Sequence, residues 1–295
     1  MDGVELLTFS RLYRSVCTDL SLAFFFRLPE ETGKYLSRLV SSAHSNLYSF
    51  KRNGFREAAD FLFRKIPVAV YGDFYVRLCL LLFYVPFILS ALAAYHSPDF
   101  AEKLLGAATL ESYRDMHENG HEQPGAGKSL AMSGFYIMNN ISLNLITFGL
   151  GLFGGIGSLL MVGANALHLG GLIGYLLTTP ASGPILSWLP GHGPFELTAI
   201  GICGGAGLRI GFSWIAPGGR SRLRAFREEA SDSLPIITAA GMLTLAAAFL
   251  EAFLAPADLP LNLKFMVGGA SIVFMIVYFV VLGKLRQNSE STHVA

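Results

Sequence analysis

The pattern of hydrophobic and polar positions changes character along the chain. Residues 5–26 place apolar side chains, among them Leu6, Phe9 and Tyr13, at the spacing of an amphipathic helix. Two more mixed stretches follow, and the first long apolar run begins only near residue 77. We therefore predict a helical cytosolic region at 1–75. A helical hairpin packed against the membrane part explains this pattern equally well.

Six apolar segments come next, and each is near the roughly 20 residues that cross the hydrocarbon of a bilayer. Hydrophobic residues make up 52% of the chain and charged residues 15%, against about 25% charged residues in soluble domains. The sequence predicts an all-α protein, a polytopic membrane helix bundle of about six spans at 76–284 with a cytosolic tail at 285–295. The predicted spans are 77–96, 133–153, 156–178, 195–216, 234–254 and 264–283.

The positions of Lys and Arg predict the orientation of these spans. Residues 1–77 contain eleven basic residues, whereas the loop at 97–132 contains three against six acids. Basic segments stay in the cytoplasm. Both termini are therefore expected in the cytosol, and the loop at 97–132, with a helical middle, is expected outside.

Polar residues inside the predicted spans are functional-site hypotheses, because such groups face the bundle interior or water. Most of them can also simply hydrogen-bond one helix to another. Arg209 is expected to reach the cytosolic interface beside Trp214. The residues singled out on this basis are Asn139, Asn140, Asn165, His168 and Arg209.

Glycines recur at the small-xxx-small spacing that lets helix backbones approach closely in lipid. This spacing predicts tight packing within one chain, and it also fits a homo-oligomer. The predicted packing positions are Gly151, Gly155, Gly170, Gly174, Gly201, Gly205, Gly207 and Gly211.

His192, Glu196 and Glu251 are the candidates for catalysis and for metal binding. One interpretation is structural: Gly193-Pro194 begins the fourth span, Glu196 caps its first turn and His192 closes the preceding loop. The other interpretation follows from depth, since Glu251 also falls near the outer end of its span. Two carboxylates and an imidazole there would bind a divalent metal or share a proton. No other cofactor is expected.

Several stretches together carry a family resemblance. They are Asn139-Asn140-Ile141, the sequence HGPFEL at 192–197 and the sequence AFLEAF at 248–253. In these the chain resembles the stage II sporulation protein M family of bacterial membrane proteins. The resemblance implies an inner-membrane protein similar to a non-enzymatic scaffold that holds peptidoglycan-remodelling enzymes together. Cell-wall hydrolases or other membrane proteins are the partners expected, docked on the outer loop at 97–132. The resemblance does not imply that the source organism sporulates.

Two other functions are alternatives to the scaffold. One is a membrane-embedded metal-dependent hydrolase that uses His192, Glu196 and Glu251. The other is a small-solute or lipid transporter, which the polar residues in the spans suggest although the two halves show no clear repeat. The lipid bilayer is the expected surrounding, and no nucleic-acid partner is expected.

Overall fold

The chain is helical throughout the part that can be described. The computed structural model describes residues 3–48, 54–119 and 126–294, and these ranges contain helices and no β-strand. The predicted all-α class is therefore confirmed. Residues 120–125 of the predicted outer loop lie outside the described residues, as do the first two residues and the last one.

Two compact units divide the chain, Met1–Asp60 and Phe61–Ala295. The first contains α1 (Gly3–Phe25), α2 (Glu30–Tyr48) and α3 (Gly54–Asp60). Helices α1 and α2 form a hairpin, in which the Tyr13 hydroxyl and His44 Nδ1 are 3.1 Å apart in a hydrogen bond. The first unit ends at Asp60, whereas the predicted cytosolic region extends to residue 75.

The second unit opens with a π-helical turn, Phe61–Lys65, and continues into α4 (Ile66–Gly72) and α5 (Phe74–His96). Asp73 separates α4 from α5 and caps α5, because its Oδ1 accepts a 2.8 Å hydrogen bond from the Val76 N–H. The outer-loop region folds into α6 (Pro98–Leu105) and α7 (Ala107–Asn119).

The remaining helices follow with short connections. They are α8 (Ala126–Gly151), α9 (Ile156–Leu176), α10 (Ser182–Ile215), α11 (Arg222–Asp232), α12 (Leu234–Phe249), α13 (Leu261–Met275) and α14 (Gly283–Val294). A π-helical segment, Leu250–Leu254, extends α12, and a second one, Ile276–Leu282, joins α13 to α14. The predicted C-terminal tail is thus helical as far as Val294.

Five of the described helices are long and apolar enough to cross a membrane, which supports a multi-pass membrane protein. The predicted second span lies in α8, which is not one of the five, since its asparagines make it less apolar. The sixth span stays a prediction, and so does the shared cytosolic side of the two termini. The five candidates are Phe74–His96, Ile156–Leu176, Ser182–Ile215, Leu234–Leu254 and Leu261–Ser289.

Helix α10 lies at the centre of the bundle and packs against α5, α8, α9, α12 and α13. Glycines make this approach close. A Cβ atom added at Gly205 would lie 2.5 Å from Val76 Cα, and one at Gly211 would collide with the Gly151 carbonyl. The same holds, with other neighbours, at all eight predicted packing glycines. These contacts join helices of one chain.

The predicted start of the fourth span at Gly193-Pro194 is wrong. Helix α10 begins at Ser182 and runs through both Pro190 and Pro194. Proline is tolerated in such a helix where neighbouring helices hold the chain in place. The side chain of Leu254 packs on Gly191 between the two prolines. Glu196 is therefore not a cap at a helix start but lies in the middle of a continuous helix.

Candidate functional site

Three titratable side chains meet where α10 lies beside the end of α12. Each of His192, Glu196 and Glu251 offers one ligand atom, and these atoms all lie within 4.8 Å of one another. His192 Nε2 is 3.9 Å from Glu196 Oε2. The continuous helix explains this pair, because residues four apart stand on one face of an α-helix.

Glu251 reaches the pair from the π-helical turn Leu250–Leu254. A π-turn holds an extra residue per turn, so it rotates the side chains that follow relative to a regular α-helix. Such turns occur frequently at functional sites. Glu251, the residue that completes the cluster, lies in this π-turn at the end of α12.

The cluster is largely removed from solvent and incompletely hydrogen-bonded. His192 is 4% exposed, and the Glu196 side chain is 24% exposed. His192 Nδ1 and Glu251 Oε2 are buried, and neither makes a hydrogen bond of good geometry among the described residues, although the Trp188 backbone lies within reach of the imidazole. Trp188, one turn before His192, makes a side-chain hydrogen bond to Glu251. A buried polar group without a partner costs about 1–3 kcal/mol, so two of them in one cluster need a reason.

The donor set suits a first-row divalent metal. Histidine nitrogen and carboxylate oxygen bind Zn²⁺ at about 2.0–2.2 Å, which places tetrahedral ligands roughly 3.3 Å apart. The observed separations, up to 4.8 Å, exceed this by an amount that side-chain rotation can close. Three protein ligands leave one position open, as in catalytic rather than structural zinc sites.

The comparisons with known proteins identify the membrane part. A family model described as Stage II sporulation protein M matches residues 79–256, which is more than half of the chain. The chain belongs to this family. A model described as Domain of unknown function (DUF8413) matches residues 1–49. Neither the curated proteins nor the solved structures gave a match.

The stage II sporulation protein M match includes every residue of the cluster, as well as Trp188, but it ends before Lys264. Lys264 is a buried residue that sequence reasoning missed, at 3% exposure. Its Nζ donates 2.8 Å hydrogen bonds to Ser187 Oγ and to the Ala255 carbonyl. Ser187 precedes Trp188 in the sequence, and Ala255 directly follows the π-turn Leu250–Leu254. A lone lysine at the start of an apolar span is the signal that marks it.

The predicted polar residues of α8 and α9 are not part of this cluster. Asn139 donates to Asn140 Oδ1 at 3.1 Å, and Asn165 donates to the Met161 carbonyl of its own helix at 2.8 Å. His168 is half-buried on α9. Both bonds lie within a single helix, so neither is the helix-to-helix bond that the structural interpretation describes.

Arg209 belongs to a second polar cluster near the other end of α10. Its guanidinium contacts Asp73 Oδ2 at 3.0 Å, Glu229 Oε2 at 2.7 Å and Asp232 Oδ2 at 3.4 Å. The expectation that it reaches the cytosolic interface beside Trp214 stays a prediction, and the structure adds that three carboxylates hold its guanidinium. Burial acts to raise the pKa of Glu229, but hydrogen bonds from Arg209 and Arg220 outweigh it and keep that pKa below its ordinary value.

Proposed function

We propose that this member of the stage II sporulation protein M family is a metal-dependent hydrolase of the bacterial cytoplasmic membrane. In this proposal His192, Glu196 and Glu251 bind one divalent metal ion. The observation that carries it is the convergence of the three side chains, with the buried Oε2 of Glu251 left unpaired. A metal ion bound through His192 Nε2, the nitrogen that faces Glu196, would satisfy that oxygen and would offset the cost of burying two carboxylates.

Each residue has a role in this proposal. His192 supplies the nitrogen ligand, and the two glutamates supply oxygen ligands from different helices. Trp188 orients the Glu251 carboxylate through its hydrogen bond. The open fourth position would take water, whose pKa a bound zinc ion lowers to about 7, so that hydroxide forms at neutral pH. Glu196 is more accessible than His192, with 24% against 5% of the side chain exposed.

The predicted orientation supports a substrate on the outer side of the membrane. Glu251 lies close to the end of α12 that the distribution of Lys and Arg places outside. His192 and Glu196 are held at the same depth, since they contact Glu251. The substrate class that fits this position is a component of the cell envelope.

Metal analysis of the purified protein tests the proposal. We expect about one Zn²⁺, Mn²⁺ or Co²⁺ ion per chain after loading and dialysis. Glu251→Gln should lose it. Glu111→Gln, which changes a carboxylate with 67% side-chain exposure on α7, should retain it. A wild-type protein that binds none of these metals would contradict the proposal.

A Co²⁺-loaded sample separates a hydrolytic site from a closed structural one. Water at an open position loses a proton near neutral pH, so the visible spectrum of the bound cobalt should change between about pH 6 and pH 8. A spectrum that is constant over this interval would indicate that the protein supplies every ligand, and the hydrolase function would then be rejected.

A scaffold for peptidoglycan-remodelling partners is the second candidate. It is favoured by α6 and α7, two helices between candidate spans that are themselves too short and too polar to span. Ala101 and Leu110 anchor them in an apolar cluster, while Glu111 and Asp115 are exposed. Co-purification with a cell-wall hydrolase, lost in a Glu111→Lys/Asp115→Lys variant, would support this function. Recovery of no envelope partner would contradict it.

A further inference from the structure

The tip of the α1–α2 hairpin exposes a continuous run of large apolar side chains. Phe24, Phe25 and Phe26 are 68%, 78% and 66% exposed, and Leu22 and Leu28 are at least 47% exposed. We call these five residues the aromatic tip. Scattered apolar side chains on a surface are ordinary, but a contiguous group of this kind marks a binding surface.

The backbone fixes this arrangement. The Leu28 N–H donates to the Ala23 carbonyl at 3.0 Å, and the Arg27 N–H donates to the Phe24 carbonyl at 3.3 Å. With Arg27 at φ 51°, these two bonds form the Schellman ending of an α-helix. The turn buries Ala23 and directs the phenylalanines outwards. The exposure is thus a property of a defined turn and not of a frayed end.

The chemistry of the aromatic tip fits the interface of a lipid bilayer. Phenylalanine and leucine are among the side chains that membrane-surface helices bury at the headgroup boundary. Arg27, Glu30 and Glu31 lie beside the phenylalanines and are exposed, so charged groups border an apolar centre. Arg27 is the kind of charge that such helices present to the headgroups, whereas the two glutamates stay in water.

The chain itself keeps this surface near a membrane. The unit that carries the aromatic tip ends at Asp60, and the first candidate span begins at Phe74. The hairpin itself ends at Tyr48, so residues 49–73 tether it to that span and give it a high effective concentration at the bilayer. Even a weak intrinsic affinity therefore suffices for binding.

We propose that the aromatic tip inserts into the cytoplasmic leaflet of the membrane that holds the spans. This gives residues 1–49, which match a domain of unknown function, a membrane-docking surface. The inference does not depend on the metal cluster, which lies in the second unit.

Spin labels on the full chain in lipid nanodiscs test this inference. Cys17→Ser provides the background, because Cys79 and Cys203 are buried. A label at Phe25→Cys should collide with oxygen, which dissolves in lipid, more than with a water-soluble nickel complex. A label at Ser42→Cys, an exposed position along α2, should show the reverse ratio.

Either of two results would overturn the proposal. Water-like accessibility at position 25 would mean that the aromatic tip is in solution, and protection from both reagents would mean that protein covers it. A second variant controls for the label at Phe25. Exchange of Phe24, Phe25 and Phe26 for Ser, with a label at Leu28→Cys, should shift that label from the oxygen-accessible to the nickel-accessible class. No shift would also count against insertion.

Discussion

Helix α10 carries a polar cluster towards each of its ends, and the two clusters differ in how well they are satisfied. Arg209 is bound by three carboxylates, one from Asp73 between α4 and α5 and two from α11. His192 and Glu251 each keep a buried atom without a partner among the described residues. The thirteen residues from Glu196 to Arg209 separate the clusters by about 20 Å along the helix. The Arg209 cluster is compensated within the chain, and the His192 cluster is the one for which we propose a metal ion.

The difference follows from charge and geometry. Arg209 presents several N–H donors in a fixed plane, which suits carboxylates arriving from several directions. Asp73 can remain buried because Arg209 faces it, and its other oxygen caps α5. The cluster at His192 contains two acids and an imidazole, and no Lys or Arg among the described residues forms an ion pair with either acid. In our proposal a metal ion would compensate the carboxylates of the His192 cluster, as the Arg209 guanidinium compensates those around it.

Removing Arg209 should have the largest effect. In Arg209→Met we expect the free energy of unfolding to fall by about 3–5 kcal/mol, since Asp73 and Glu229 lose the charge that compensates them. Chemical denaturation in detergent measures this. Arg224→Met is the matched control, because the Arg224 side chain is 72% exposed and its ion pair is worth at most about 1 kcal/mol. If both variants lost the same free energy of unfolding, the buried ion pairs of Arg209 would contribute no more to stability than the exposed pair of Arg224.

Changing Trp188 should have the next largest effect, on the metal site alone. Trp188→Phe removes the donor to Glu251 and keeps the aromatic ring. Loss of such an orienting bond weakens metal binding by about 10- to 100-fold. Competition with a chromophoric chelator measures the affinity. Trp214→Phe, which changes the tryptophan that packs on Phe226 near the other end of α10, should leave the affinity unchanged. If both variants bind the metal as tightly as the wild type, Trp188 does not orient the ligand.

Replacing His192 should change the stability of the metal-free protein little. His192→Leu removes a buried imidazole with an unpaired nitrogen, so the unfolding free energy should stay within about 1 kcal/mol of the wild type or rise. Denaturation in excess chelator measures this, and metal binding should be lost in the same sample. A large loss of stability would show that His192 is structural, as Arg209 is.

Acid should have the smallest effect on stability. It should reduce the contribution that Glu229 makes in the Arg209 cluster. The pKa of Glu229 is lowered in the folded protein, so its contribution to stability is present above the ordinary value of 4.5 and is lost as the pH falls through the folded value. Thermal unfolding should therefore shift to lower temperature between pH 6 and pH 3.5. Glu229→Gln should show a smaller shift over this interval. An unchanged shift in that variant would assign the acid sensitivity to other groups.

The sequence predicted the segments of the bundle better than the shape of its site. The apolar runs at 77–96 and 234–254 correspond closely to Phe74–His96 and Leu234–Leu254, because the length and apolarity of a span are local properties. Six of the eight packing glycines form pairs at this spacing within one helix, whereas Gly151 ends α8 and Gly155 caps α9, so a turn separates that pair. Lys264 was missed because its two acceptors come from other helices.

The sequence by itself therefore determined the helical class, the apolar segments and the identity of the three candidate ligands. Tertiary structure decided that α10 continues through Pro190 and Pro194, which turned His192 and Glu196 into neighbours on one face. It also decided that a π-turn in α12 brings Glu251 to them. Neither result is local: a proline in a helix persists only where adjacent helices hold it, and a contact between residues 196 and 251 exists only once two helices have packed.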